Sequence, residues 1–318
     1  MTENRFMAAT ILSLLAIDIV WIAMTDFTFD IRSAMPLTGI LMLLGAVAWV
    51  YSTIRRIPVY AVMIINTGFL LAFTGVAAIL SYLVTSLNLP LIDHHLVAVD
   101  QTLGFDWTSY IAFVNSHPWL GFASTAVYVT TLPQVALAAI LLPLLGQVDR
   151  TREMVMMVIL SALIAIFISG ILPAAGALAT FKPDGSFYLQ NQPLVDLAYK
   201  QAFFDLRSGV TTALSLENGK GLIAFPSYHV ALAFVTTIAF RGFWWVFWPI
   251  LTVNLCVVLS TPIDGGHHLV DGLAGGLVAV LSFYLVTNLR RYFGFSESSP
   301  ARKSGWLEPK PSEPLDAL

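Results

Sequence analysis

The sequence predicts an all-α polytopic membrane protein with about eight transmembrane helices. Two observations carry the class. Of its 318 residues 57% are hydrophobic and only 11% charged, with a mean hydropathy of +0.79, a balance far from that of soluble domains. Apolar runs of the ~20 residues needed to cross a bilayer then recur along the chain.

The first run, 7–25, is followed by no small-residue cleavage site and reads as a retained helix. Asp18 stands in its middle, where a carboxyl is costly in lipid; it is either functional or faces a hydroxyl or amide on a neighbouring helix. The runs 34–53 and 60–86 follow, and the runs 119–146, 153–174, 222–240, 244–262 and 268–289 complete the set. In the last, the Gly272 to Gly276 spacing with Ala274 predicts close packing against a neighbour. From Phe295 the chain is rich in Pro, Ser and charge and has no apolar face to bury, which predicts a disordered extension.

Arg5, Arg55, Arg56, Arg150, Arg152, Arg241, Arg290 and Arg291 occupy the amino-terminal segment, every second loop and the stretch after the last span. Positive charge near span ends stays on the cytoplasmic side, so both termini are placed there. The segments 26–33, 87–118, 175–221 and 263–267 then face outward, and any chemistry is external. Residues 98–118 mix Trp, Tyr and Phe with polar groups, which suits a segment lying in the headgroup layer.

The net charge of -3 is small and the basic residues are scattered, which argues against nucleic acid as a partner. The single cysteine, Cys256, lies in an apolar run and forms neither a disulfide framework nor a thiolate cluster. Asp93, His94 and His95 point in different directions on a helix and complete no ligand set, so they read as a solvated loop rather than a metal site.

Two outer stretches carry chemistry. GLIAFPSYHVALAFV, 221–235, sets Pro226, Ser227, Tyr228 and His229 at the mouth of the sixth span. STPIDGGHHLVDGLAGG, 260–276, lies between the last two. With a helix starting near Gly266, His267 and Asp271 are four residues apart on one face. The carboxylate then holds one ring nitrogen and leaves the other free to attack. A covalent phosphoryl transfer needs a second group to protonate the leaving oxygen, and His229 offers an imidazole, which when unperturbed titrates near neutrality. Ser227 and the first amides of the sixth span add an anion site. Each histidine taken singly reads more readily as an interfacial anchor or a packed side chain than as a catalytic group; the joint pattern, on one side and at two span openings, favours a site. A transporter with a histidine proton relay predicts paired broken helices in two related halves, and the sequence has no such repeat.

At these residues the chain resembles the type 2 phosphatidic acid phosphatase superfamily, whose signatures are Lys-x6-Arg-Pro, Pro-Ser-x-His and Ser-Arg-x5-His-x3-Asp. Pro226-Ser227-Tyr228-His229 matches the second in full. Ser260, His267 and Asp271 match the third, with Thr261 where the family has arginine; the spacing selects His267 over His268. For the first, Lys200 and Arg207 have the right separation but Ser208 replaces proline, and Lys220 is an alternative cation. Thr261, the His267-His268 pair and stretches such as LIDHHLVAVDQTLGFDW are similar to the inositol phosphorylceramide synthase branch of inositolphosphotransferases.

The resemblance implies a six-helix phosphatase core within 60–292, two additional amino-terminal helices in 1–59 and a cytoplasmic tail at 293–318. It implies a phosphohistidine at His267, with Asp271 as its orienting partner and His229 as general acid. Ser227, Arg207, Lys200, Lys220 and Ser260 would bind phosphate, with no metal and no cofactor. The substrate would be a phospholipid or isoprenyl phosphate in the bilayer. Hydrolysis is placed slightly ahead of transfer to an alcohol such as inositol, and a bacterial inner membrane with a periplasmic site is the expected location.

Overall fold

The structure, a computed structural model, describes residues 2–183, 193–217 and 221–294. Lys220 and the extension from residue 295 lie outside the described residues. Among the described residues the elements are α1 (Glu3–Ala23), β1 (Thr28–Phe29), α2 (Ile31–Trp49) with a π-helical turn (Val50–Ile54), and α3 (Pro58–Thr85). Four short helices follow, α4 (Asp93–Thr102), α5 (Trp107–Asn115), α6 (Pro118–Tyr128) and α7 (Thr131–Leu144). The chain continues through α8 (Val148–Ile171), α9 (Ala177–Phe181), α10 (Leu197–Arg207) and β2 (Ala213–Leu214). It ends with α11 (Tyr228–Ala239), α12 (Trp244–Asp264) and α13 (Leu269–Tyr292).

Among the described residues seven helical segments are long and apolar enough to cross a membrane, and the broken helix α6–α7 counts as one of them. The remaining expected span, 222–240, is helical only over the twelve residues of α11. Pro226 accounts for the shortening: it has no N–H to donate and its ring disfavours a helical residue before it, so the chain reaches the helix only at its N-cap, Ser227. The protein is an all-α, multi-pass membrane protein, as its composition predicts.

Helix α8 is the central post. It packs against α3, α7, α11 and α13, and Met154 to Ile159 are buried without interruption, which is what an all-round apolar helix does at a bundle centre. Helix α2 is the opposite case. It packs on α3 and leaves Met35, Met42 and Leu43 exposed for lipid to cover. Asp18 faces inward and is buried, with no hydrogen-bond partner for either carboxyl oxygen among the described residues.

An ionic network ties one end of the bundle. Arg290 reaches Glu3 at 2.8 Å and Glu153 at 3.9 Å, Arg241 reaches Glu153 at 2.6 Å, and Arg152 reaches Glu3 at 3.8 Å. Three of the arginines expected on one side, Arg152, Arg241 and Arg290, thus gather at one end and offset the charge of two buried glutamates on α1 and α8. At the other end β1 and β2 pair in parallel, Thr28 with Ala213 and Phe29 with Leu214. Leu216 N–H donates to Ser33 Oγ beside them, at 3.0 Å.

The expected close packing of the last span is centred on Gly275, one residue before the end of the Gly-x-x-x-Gly run. A Cβ there would stand 2.2 Å from Ser227 O and 3.1 Å from Val230 Cβ, so α13 touches the backbone at the start of α11. Gly275→Val is expected to push Ser227 off its seat, cost about 1–3 kcal/mol by overpacking and lower activity. Melting of the detergent-solubilised variant, together with turnover, checks both.

Candidate active site

The loop between α12 and α13 builds the centre. The expected helix from Gly266 does not form: α13 begins at Leu269 with His268 as its N-cap. The reason lies in Gly266, at φ +61, whose carbonyl accepts from Leu178 N–H at 3.3 Å and whose Cα lies so close to Leu178 that a Cβ would approach it to 2.7 Å. Only glycine fits that turn without strain. His267 precedes the helix, yet its Nδ1 still reaches Asp271 Oδ2 at 3.1 Å, because the same oxygen accepts the His268 N–H at 2.9 Å and caps the first turn. Asp271 thus fixes the helix start and the imidazole together.

Both His267 and Asp271 are buried. With Nδ1–H donating to the carboxylate, Nε2 carries the free lone pair, and Ser227 Oγ lies 3.4 Å from it. Ser227 is fully buried and its N–H donates to Asp271 O at 2.9 Å. The two motif elements, forty residues apart, therefore meet in one place, with Ser227 as the N-cap of α11. The first amides of α11 open there, as helix starts leave them unpaired.

His229 is half-buried on α11. Its Nδ1 lies 3.2 Å from Tyr128 Oη, and the rings stack at 4.4 Å with planes 22° apart. Tyr128 was not singled out by sequence; it is 101 residues away, and nothing local marks it. The same helix α6 holds the other side of the centre: Ser124 and Thr125 donate to the two oxygens of buried Asp264, two residues before Gly266.

The remaining candidates divide. Lys200 on α10 is buried, and its Nζ would lie 3.2 Å from a Cβ on Gly176, in the loop that abuts Gly266 O. Burial pulls its ammonium down to about 8, against the opposing pull of Asp271 and Asp93. Arg207, two turns further along α10, is turned elsewhere: Nη2 donates to Leu89 O, and the guanidinium lies 5.2 Å from the centroid of the Phe203 ring. Ser260 Oγ donates to Val257 O within α12 at 2.7 Å, and Thr261 Oγ1 to Val258 O at 2.8 Å. Both hydroxyls are committed to their own helix. Thr261 contributes through its backbone, where its carbonyl accepts from Gly265 and His267.

The solvated-loop reading of Asp93 to His95 is corrected. Asp93 opens α4 and is buried, accepting from Ala175 N–H at 2.9 Å and Gly176 N–H at 2.8 Å, while His94 and His95 face outward. An acid whose partners are amides 82 and 83 residues away leaves no local pattern. Residues 98–118 take in the end of α4, all of α5 and the first residue of α6, and α5 lies against the end of α12: Trp107 Nε1–H donates to Pro262 O at 2.9 Å and Tyr110 to Leu259 O at 2.7 Å.

What this geometry offers is a buried imidazole oriented by a carboxylate, a second imidazole on the adjacent helix start, a buried ammonium and a hydroxyl. That set suits nucleophilic attack on an anionic centre. No match was found among curated proteins or solved structures. The family model of the PAP2 superfamily matches residues 94–285, well over half the chain and the stretch that holds all of these groups, and the chain belongs to the PAP2 superfamily, a multi-pass membrane enzyme of phosphatase type.

Proposed function

We propose that the protein hydrolyses a lipid-linked phosphate ester through a phosphohistidine on the outer, periplasmic face of a bacterial inner membrane. The observation that carries this is the His267–Asp271 pair at 3.1 Å with Nε2 turned to Ser227. The Nε2 lone pair forms the bond to phosphorus, and the ester P–O bond breaks. His229 gives its proton to the departing alkoxide, and Asp271 supports the charge gathered on His267. Water then attacks phosphorus and passes a proton to His229, the P–N bond breaks, and phosphate leaves with both imidazoles restored. Ser227, the first amides of α11 and Lys200 hold the phosphoryl oxygens, with Arg207 behind them; Ser260 serves by shaping α12. These cations and dipoles supply the charge compensation without a metal in the scheme.

The second reading is transfer of the phosphoryl group to an alcohol such as inositol, favoured by burial of His267 and Ser227, since a transferase must keep water from the intermediate. The test uses detergent-purified protein and a panel of phospholipids and isoprenyl phosphates, with and without inositol or glycerol. Phosphate release that requires His267 supports hydrolysis. A new headgroup lipid formed at the expense of phosphate makes it a transferase. No reaction by either route overturns the proposal in favour of a binding or transport role.

Lys200 gives this reading a pH signature. The free enzyme holds the ammonium below about 8 and loses it above, so kcat/KM is expected to fall as pH rises through that value. Lys200→Met should remove that limb and lower kcat/KM by about 10²–10³-fold at neutral pH. A pH–rate profile of both proteins on one ester checks it.

A further inference from the structure

The chemistry at His267 leaves its neighbour His268 without a task, although His268 is fully buried. Its ring is turned the other way. Nε2 lies 3.4 Å from Asp93 Oδ1 and Nδ1 lies 3.7 Å from Asp100 Oδ2. The two acids are seven residues apart on α4, two helical turns, so they share a face. Both are buried.

Each carboxylate also grips backbone. Asp93 accepts from Ala175 and Gly176 in the loop after α8. Asp100 accepts from Leu269 and Val270 at 2.9 Å each, amides that the first turn of α13 would otherwise leave unpaired. Helix α4 is thereby fastened to both loops that meet under the site. Two buried carboxylates this close need a compensating charge. Burial alone would lower the His268 titration, but Asp100 and Asp93 prevail and raise it to about 9. For Asp93, burial is likewise overcome, by His268 and the two amides, and its carboxyl is held low. Also facing this bridge are Asp271 on α13, the Phe181 ring, 6.5 Å away, and Thr180, whose hydroxyl donates to Asp93 Oδ1 at 3.3 Å, with Lys200 acting on Asp93 and Asp271 and Arg207 on Asp93.

A single atom links the bridge to the reaction. Asp271 Oδ2, which holds His267 Nδ1 at 3.1 Å, also takes the backbone N–H of His268 at 2.9 Å. A shift of residue 268 moves the carboxylate and with it the attacking ring.

We propose that His268 is a positioning residue for the reaction at His267: the Asp93–His268–Asp100 bridge locks α4 to the start of α13 and holds the nucleophile's loop in its attacking geometry. This rests on the function proposed above and deepens it.

The test compares wild type, His268→Gln and Asp100→Asn, each purified in detergent, by two readouts. The first is melting temperature against pH, which needs no substrate. A histidine raised on folding contributes fully below its ordinary value near 6.5 and loses that contribution as pH climbs through about 9. The melting gap between wild type and His268→Gln should therefore be widest below about pH 6.5 and close as pH climbs through about 9. Lys200, held down to about 8, acts in the opposite sense in both proteins and cancels in the difference. The second readout is kinetic: kcat should fall about 10–100-fold with KM changed less than about threefold, the mark of a misplaced reacting group.

Asp100→Asn keeps the side chain's size and one of its two acceptor oxygens and leaves His268 with Asp93, so the pH-dependent gap should persist in smaller measure together with the loss of kcat, which covers the case that His268→Gln does not accumulate. A gap independent of pH in both variants overturns the bridge. A closing gap with kcat unchanged overturns the positioning role alone. A closing gap in a wild type inert toward every ester overturns the role by removing the reaction, and leaves the bridge as architecture.

Discussion

His267→Ala is expected to reduce turnover to the background rate, a loss of at least about 10⁴-fold, while the protein still inserts and folds. The size follows from the role: without a nucleophile there is no covalent intermediate, and losses of a nucleophile in such units are of this order or larger. The retained fold follows from the contacts. The ring makes one bond to Asp271 and a long one to Ser227, whereas the helix cap that organises the loop uses the His268 N–H, which alanine at 267 leaves in place. Phosphate release and size-exclusion behaviour of the purified variant, measured side by side, check the two halves. Substantial remaining turnover would remove His267 from the centre of the scheme.

The second large effect discriminates between leaving groups. His229→Ala should slow release of an alkyl alcohol by about 10²–10⁴-fold, the usual worth of a general acid, and slow release of a nitrophenol far less. An alkoxide is too basic to depart unprotonated; a nitrophenolate is not. Tyr128 gives the prediction a structural base, because its hydroxyl at 3.2 Å occupies Nδ1 and leaves Nε2 for proton transfer. Parallel kinetics with a lipid phosphate and a nitrophenyl phosphate decide it. Equal losses on both would take the general-acid role away from His229.

The sequence announced what depends on composition and short spacing, and little of what depends on distant partners. Apolar runs located the spans because lipid selects composition over ~20 residues. Errors fell where backbone chemistry intervenes, as at Pro226, which shortens α11, and at Gly266, which delays α13. Ser227, His229, His267 and Asp271 were legible because they lie within two stretches of the chain and converge as that spacing implies. Asp93, Asp100, Tyr128 and Asp264 were not, because each is defined by a partner at least 82 residues away. Ser260 shows the converse: its spacing is right, yet its hydroxyl serves its own helix.

The two fastenings of α1 also join the start of the chain to segments far along it. Glu3, at its start, bonds to Arg290, and the strand just after its end pairs with residues 213 and 214. During synthesis from the amino terminus α3, on which α1 packs, emerges early, whereas the partner of Glu3 lies 287 residues further on. A chain halted before residue 290 would therefore seat its first helix yet leave Glu3 without the arginine that neutralises it most closely.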